Sequence, residues 1–223
     1  MNWPLALAVF AIAVAAGPWL DRIAEWSLRA RADQDQSGSA QAEMPWRRRA
    51  LATGAIAGAF GATAVLLVPS PALLPAWLAL ALVAAPIVRT DLARHRIPNV
   101  LNAAAFGAGA LLLLVPTDWA AYGRAWLAAL AVTAALLALA LIGPTGLGMG
   151  DVKLAPTLGL YLGFLGWNAV LLGVFAGFVL GACAGLALVV RQAAAGRGVR
   201  GALRRSLPFG PFLLAGTLVG LAA

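Results

Sequence analysis

The chain has 223 residues, of which 62% are hydrophobic and 11% charged, against roughly 45–50% apolar and 25% charged in a soluble globular domain. That balance excludes an ordinary soluble protein. The formal net charge of +8 would suit nucleic acid, yet the basic residues stand in loops beside apolar runs, where membrane topology and anionic lipid explain them better.

Ala/Leu-rich runs close to the ~20 residues needed to cross a bilayer recur along the whole chain. They predict eight transmembrane helices, over about residues 3–20, 50–68, 72–89, 97–115, 123–143, 151–166, 168–190 and 207–223. The runs are continuous and lack the dyad alternation of a membrane β-barrel. The expected fold is therefore all-α, a polytopic membrane helix bundle forming a single membrane-embedded domain over 1–223.

The first run, "MNWPLALAVFAIAVAAG", has no Lys or Arg before it, and the first basic residue, Arg22, follows it. This order suits a retained span rather than a cleaved signal. Residues 21–49, which include "RADQDQSGSAQAEMPWRRR", are polar and read as a flexible cytoplasmic loop, before a core over 50–223. Pro and Gly punctuate later joins at "VPSPALLP", "VPTDW", "IGPTG" and "GRGVRG". Gly159 with Gly163, and Gly173 with Gly177, have the spacing of close-packed membrane helices. The single cysteine, Cys183, can form neither an intrachain disulfide nor a multi-cysteine zinc site, and reads as a small packing residue. Most of the eight tryptophans, including Trp3, Trp119 and Trp167, stand near run ends as interfacial anchors would.

Eight spans segregate the charge. All but one of the 16 basic residues fall on one side, and only Arg124 falls on the other. By the positive-inside rule the basic side is cytoplasmic and both termini lie outside. The chain is thus expected in the cytoplasmic membrane as a multi-pass protein.

Of eight acidic residues, Asp21, Glu25, Asp33, Asp35 and Glu43 lie in or beside the first loop, where solvation explains them, and Asp118 suits a turn in the outer connection. Asp91 and Asp151 remain, both at the cytoplasmic margin of apolar helices. Asp151 could be a helix N-terminal cap, and Asp91 an interfacial partner of Arg89 or Arg94. Together they are also what an aspartyl protease requires. One carboxylate takes a proton from water while the other, protonated, donates to the scissile carbonyl, and mutual repulsion populates that mixed state. The glycines of "GLGMGD" resist regular helix and let backbone approach an extended substrate, and "DLARHRIPN" breaks a helix before Pro98 and restarts another. His95, in this arginine-rich turn, reads as a surface residue.

Three segments, "DLARHRIPN", "GMGDVKLA" and "LPFGPFLLAG", resemble in their order the type IV prepilin leader peptidases, which are GxGD aspartyl membrane peptidases. The start, "AAGPWLDRIAEWSLR", is weakly similar to the first helix of that family. The resemblance implies that Asp91 and Asp151 form the catalytic pair. It further implies that Gly148 and Gly150 shape the backbone and that Lys153 assists by electrostatics or substrate positioning. Pro98, Asn99, Pro208, Gly210 and Pro211 would be supporting positions of the same motifs. The implied partner is a prepilin-like or pseudopilin precursor, cleaved after a glycine between a basic leader and an apolar helix at the cytoplasmic face. Hydrolysis needs no metal or cofactor. Longer members carry two CxxC pairs in a cytoplasmic insertion, and many methylate the new N-terminus with S-adenosylmethionine. This chain is a short form without those cysteines, which makes peptidase activity the firmer expectation and leaves methyl transfer open. A presenilin-like or signal-peptide-peptidase-like protease shares GxGD but ends in Pro-Ala-Leu rather than "PFGP". A proton- or cation-coupled transporter would place its acids near the midplane, within repeated halves.

Overall fold

The computed structural model describes residues 2–29, 45–142, 147–195 and 208–223. Most of the expected first loop, the join at 143–146 and the basic stretch 196–207 lie outside the described residues. The described residues form helices α1 (Trp3–Ala15), α2 (Gly17–Arg29), α3 (Trp46–Leu67), α4 (Leu74–Arg94), α5 (Asn99–Leu112), α6 (Trp119–Ile142), α7 (Met149–Leu165), α8 (Trp167–Ala194) and α9 (Gly210–Leu221). A short 3-10 turn, Pro71–Leu73, leads into α4.

Each expected run is helical, but the number of spans is corrected. Four helices, α3, α4 with its 3-10 lead, α6 and α8, are long and apolar enough to cross a bilayer, and a fifth span arises if the bent α1–α2 pair is counted as one. The 14 residues of α5 and 12 of α9 reach about 21 and 18 Å, short of the ~30 Å hydrocarbon core. Apolar windows overestimated these lengths because turn residues such as Leu113–Pro116 are themselves apolar.

Residues 21–29, expected as part of a solvated loop, belong instead to the packed helix α2. The chain bends by 54° between α1 and α2, where Pro18 has no N–H to continue the first ladder. Gly17 lies so close to α3 that an added Cβ would stand 2.3 Å from the Ala50 carbonyl oxygen. Leu20, Asp21, Ala24 and Ser27 then face the bundle, while Trp19, Arg22 and Trp26 face outward. Asp21 pairs with Arg89 of α4, and Glu25 with Arg49 of α3 at 2.8 Å. The Thr53 hydroxyl, which donates to the Arg49 carbonyl at 2.9 Å, also lies 3.5 Å from Asp21 Oδ1. This helix has its acids inside and its Trp and Arg outside, an arrangement suited to the membrane interface.

α7 is the axis of the bundle, with twelve of its 17 residues buried, and it packs on α5, α6, α8 and α9. Lipid is as apolar as leucine, so close approach of small residues has to hold such helices together. Gly159 and Gly163 meet Ala125, Ala128 and Ala129 of α6. Gly173 and Gly177 of α8 meet Leu213 and Gly216 of α9. The outer face of α8 presents Leu171, Phe175, Val179 and Leu186. Cys183 is exposed rather than packed, because glycines carry the inward seam of α8. Trp3, Trp119 and Trp167 are exposed near helix starts, whereas Trp77 is fully buried and meets Tyr161 edge to face with ring centroids 5.6 Å apart.

Candidate functional site

The site forms where α4 ends and α5, α7 and α9 begin. α9 packs on both α4 and α7, and so does α5. Their N-terminal residues therefore decide how Asp91 and Asp151 stand relative to each other. Both acids are buried, at 5% and 6% exposure, and they are close enough for the charge of Asp91 to act on Asp151.

Asp91 lies in the last turn of α4, which ends on His95 in the left-handed conformation, φ 51°. Arg89 turns away to Asp21 and Glu25, so the expected alternative of an Arg89–Asp91 pair is not realised. Instead Asp91 Oδ2 accepts the backbone N–H of Gly210 at 3.0 Å. The first N–H groups of a helix have no partner within it, and Gly210 opens α9. The next residue, Pro211, has no N–H to satisfy. Any side chain here would crowd the acid, since a Cβ on Gly210 would stand 2.9 Å from Asp91 Oδ2 and 3.1 Å from Ile97 Cδ1, and those side-chain ends would have to shift. Phe209 wedges the start of α9 against α8, its ring centroid 5.1 Å from that of Phe178. Pro208 is half-buried beside it.

Asp151 is the third residue of α7, whose N-cap is Gly148. Its carboxyl turns back toward the Gly148 N–H, the geometry of an acid in a capping box. Asp151 is therefore not the N-cap itself, as the alternative had it, but a first-turn acid of α7 that also lies near Asp91. Gly148 is extended and Gly150 is helical, both with ordinary backbone angles, so Gly150 does not resist helix as expected. Gly148 contributes room, because a Cβ there would come within 3.3 Å of Asp151 Oδ2. Ile97, buried just before Pro98, lies against both Gly150 of α7 and Gly210 of α9, and so packs between the starts of those two helices.

Lys153 is exposed, and its ammonium donates to Asn99 Oδ1 of α5 at 3.1 Å. One turn further along α5, the Asn102 amide donates to the Lys153 backbone carbonyl. The Thr157 hydroxyl donates to Asn102 Oδ1 at 3.0 Å. Ile97, Asn102 and Thr157 were not singled out from the sequence. Two asparagines three residues apart in an apolar helix were the available signal. At the far end of α7, Arg124 donates to the carbonyls of Gly163 and Phe164 at 2.9 and 2.8 Å. This is why one arginine stands away from the others. Among the described residues no three His, Cys, Asp or Glu side chains converge as a metal site would require.

These features define a membrane-type helix bundle with two buried acids meeting at one end. Residues 72–186, more than half of the chain, match the type IV leader peptidase family. The chain belongs to that family, and it is a peptidase. The match contains both acids, Asn99, Asn102 and Lys153, whereas α1, α2, α3 and the Gly210 segment lie outside it. No curated protein and no solved structure matches the chain.

Proposed function

We propose that the protein is an aspartic endopeptidase that removes the basic leader from prepilin-like or pseudopilin precursors at the cytoplasmic face of the inner membrane. The observation that carries this reading is that Asp91 and Asp151 are both buried at one end of the bundle, near enough for the charge of one to act on the other. An ionised carboxyl of the pair removes a proton from water, and the water oxygen attacks the scissile carbonyl carbon. The protonated carboxyl gives its proton to the carbonyl oxygen, and the resulting tetrahedral diol collapses as the leaving nitrogen is protonated. The Gly210 N–H occupies Asp91 Oδ2 and leaves the other oxygen to the water or the substrate. Gathering of arginines at this end supports a cytoplasmic site.

The chemistry needs no metal. Methylation of the new N-terminus would require S-adenosylmethionine and is a separate activity. Incubating the purified protein with prepilin-like proteins from the same genome, followed by mass analysis, reads the cleaved bond and any added methyl group together. Cleavage after the glycine preceding the apolar helix supports the reading, and intact precursors contradict it.

A further inference from the structure

Pro156 lies inside α7, one turn beyond Asp151. It has no N–H to give the Val152 carbonyl one turn back, and its ring crowds that carbonyl. The opening turns of α7 therefore lack part of the backbone bonding that would fix the segment bearing Asp151. The adjoining carbonyl, that of Lys153, is held from outside the helix by the Asn102 amide. Thr157 stands four residues after Lys153, where a threonine ordinarily returns its hydroxyl to the carbonyl one turn back. Here it donates to Asn102 Oδ1 at 3.0 Å, so the amide of Asn102 is inserted between the two groups. A carbonyl only accepts, so the NH2 faces Lys153 and the amide oxygen faces Thr157. Asn99, three residues earlier on the same face of α5, accepts from the Lys153 ammonium at 3.1 Å. α5 thus holds Lys153 at both its backbone and its side chain, two residues from Asp151.

We propose that Asn102, oriented by Thr157, is a positioning residue for Asp151: by holding the Lys153 carbonyl it fixes the turn of α7 that aims this carboxyl at Asp91. The proposal rests on the reading of the two acids as the catalytic pair. The same asparagines border a groove of about 470 Å³ lined also by Phe106, Thr133 and Pro156. A residue acting by contact with substrate in that groove would change KM, whereas a positioning residue changes kcat.

The test uses the full chain in nanodiscs, with Asn102→Ala, Thr157→Val, Thr157→Ser and the Asn102→Ala/Thr157→Val double variant. Asn102→Ala lowers kcat about tenfold or more, since small misplacement of a reacting group is costly, and leaves KM within about twofold. Thr157→Val moves kcat in the same direction, Thr157→Ser restores it, and the double variant is no worse than Asn102→Ala. Hydrogen exchange at amides 150–155 accelerates in Asn102→Ala while the exchange of α4 is unchanged. An unaltered kcat, a loss carried by KM, or full additivity of the two single variants overturns the proposal. If Asn102→Ala does not fold, Thr157→Val, which keeps the side-chain shape, decides. If the wild-type protein cleaves no precursor, the catalytic reading fails, and the exchange of α7 alone decides: acceleration supports the positioning role and no change overturns it.

Discussion

Replacing Gly210 with alanine isolates the contact by which α9 reaches the acid pair. The new Cβ would stand 2.9 Å from Asp91 Oδ2 and 3.1 Å from Ile97 Cδ1. Ordinary van der Waals contact begins near 3.4 Å, so the carboxyl or the start of α9 has to retreat by about 0.5 Å. Ile97 blocks one direction, and Phe209, wedged between α8 and α9, restrains the other. A retreat of that size stretches the 3.0 Å Gly210–Asp91 bond to the edge of hydrogen bonding. Its loss is worth about 1–3 kcal/mol, from a neutral to a charged acceptor, or roughly a five- to hundredfold fall in kcat if the bond serves the transition state. Cleavage kinetics on a fluorescent precursor peptide in detergent measure this, with the melting temperature followed in parallel. Gly107→Ala is the control, because a Cβ there meets nothing within 4 Å. A folded Gly210→Ala enzyme cleaving at the wild-type rate would refute the idea that α9 holds Asp91 in place.

Three further outcomes are expected. A carboxyl pair working with one proton gives a bell-shaped dependence of kcat/KM on pH, with both limbs belonging to the pair rather than to either residue; a rate flat through the acid range contradicts it. Asp21→Ala leaves Arg89 without its main partner at a 14% exposed site and costs about 3 kcal/mol of stability. The Asp21→Leu/Arg89→Met double variant, which removes both charges, is milder than either single change in thermal unfolding. Gly216→Ala would place a Cβ 2.3 Å from the Gly173 carbonyl oxygen, forcing α8 and α9 apart at a cost of about 2 kcal/mol or more; an unchanged melting temperature would contradict the packing of those helices.

Apolar runs made the helices of the core visible, and elimination of loop acids left Asp91 and Asp151, which the fold indeed draws together. What composition could not reveal is where polarity runs opposite to habit. α2 carries Asp21 and Glu25 inward because Arg49 and Arg89, remote in sequence, come to meet them. A reader of the sequence sees a polar segment and assigns it to solvent. Helix lengths were overestimated because hydropathy does not distinguish apolar turn from apolar helix, as in Leu113–Pro116. Gly210 was marked by its Pro-Phe-Gly-Pro setting, yet the reason for glycine there, the space taken by the Asp91 carboxyl, exists only in three dimensions. Asn102 and Thr157 lay unnoticed for the same reason, since each matters through an atom of a different helix.

The central claim is that Asp91 and Asp151 act as one unit. It is tested most directly by comparing wild type, Asp91→Asn and Asp151→Asn, each purified from the membrane fraction and incubated with the same precursor until wild-type cleavage is complete. The account predicts that both variants insert and fold normally and that neither yields detectable product. Substantial cleavage by either folded variant would contradict it.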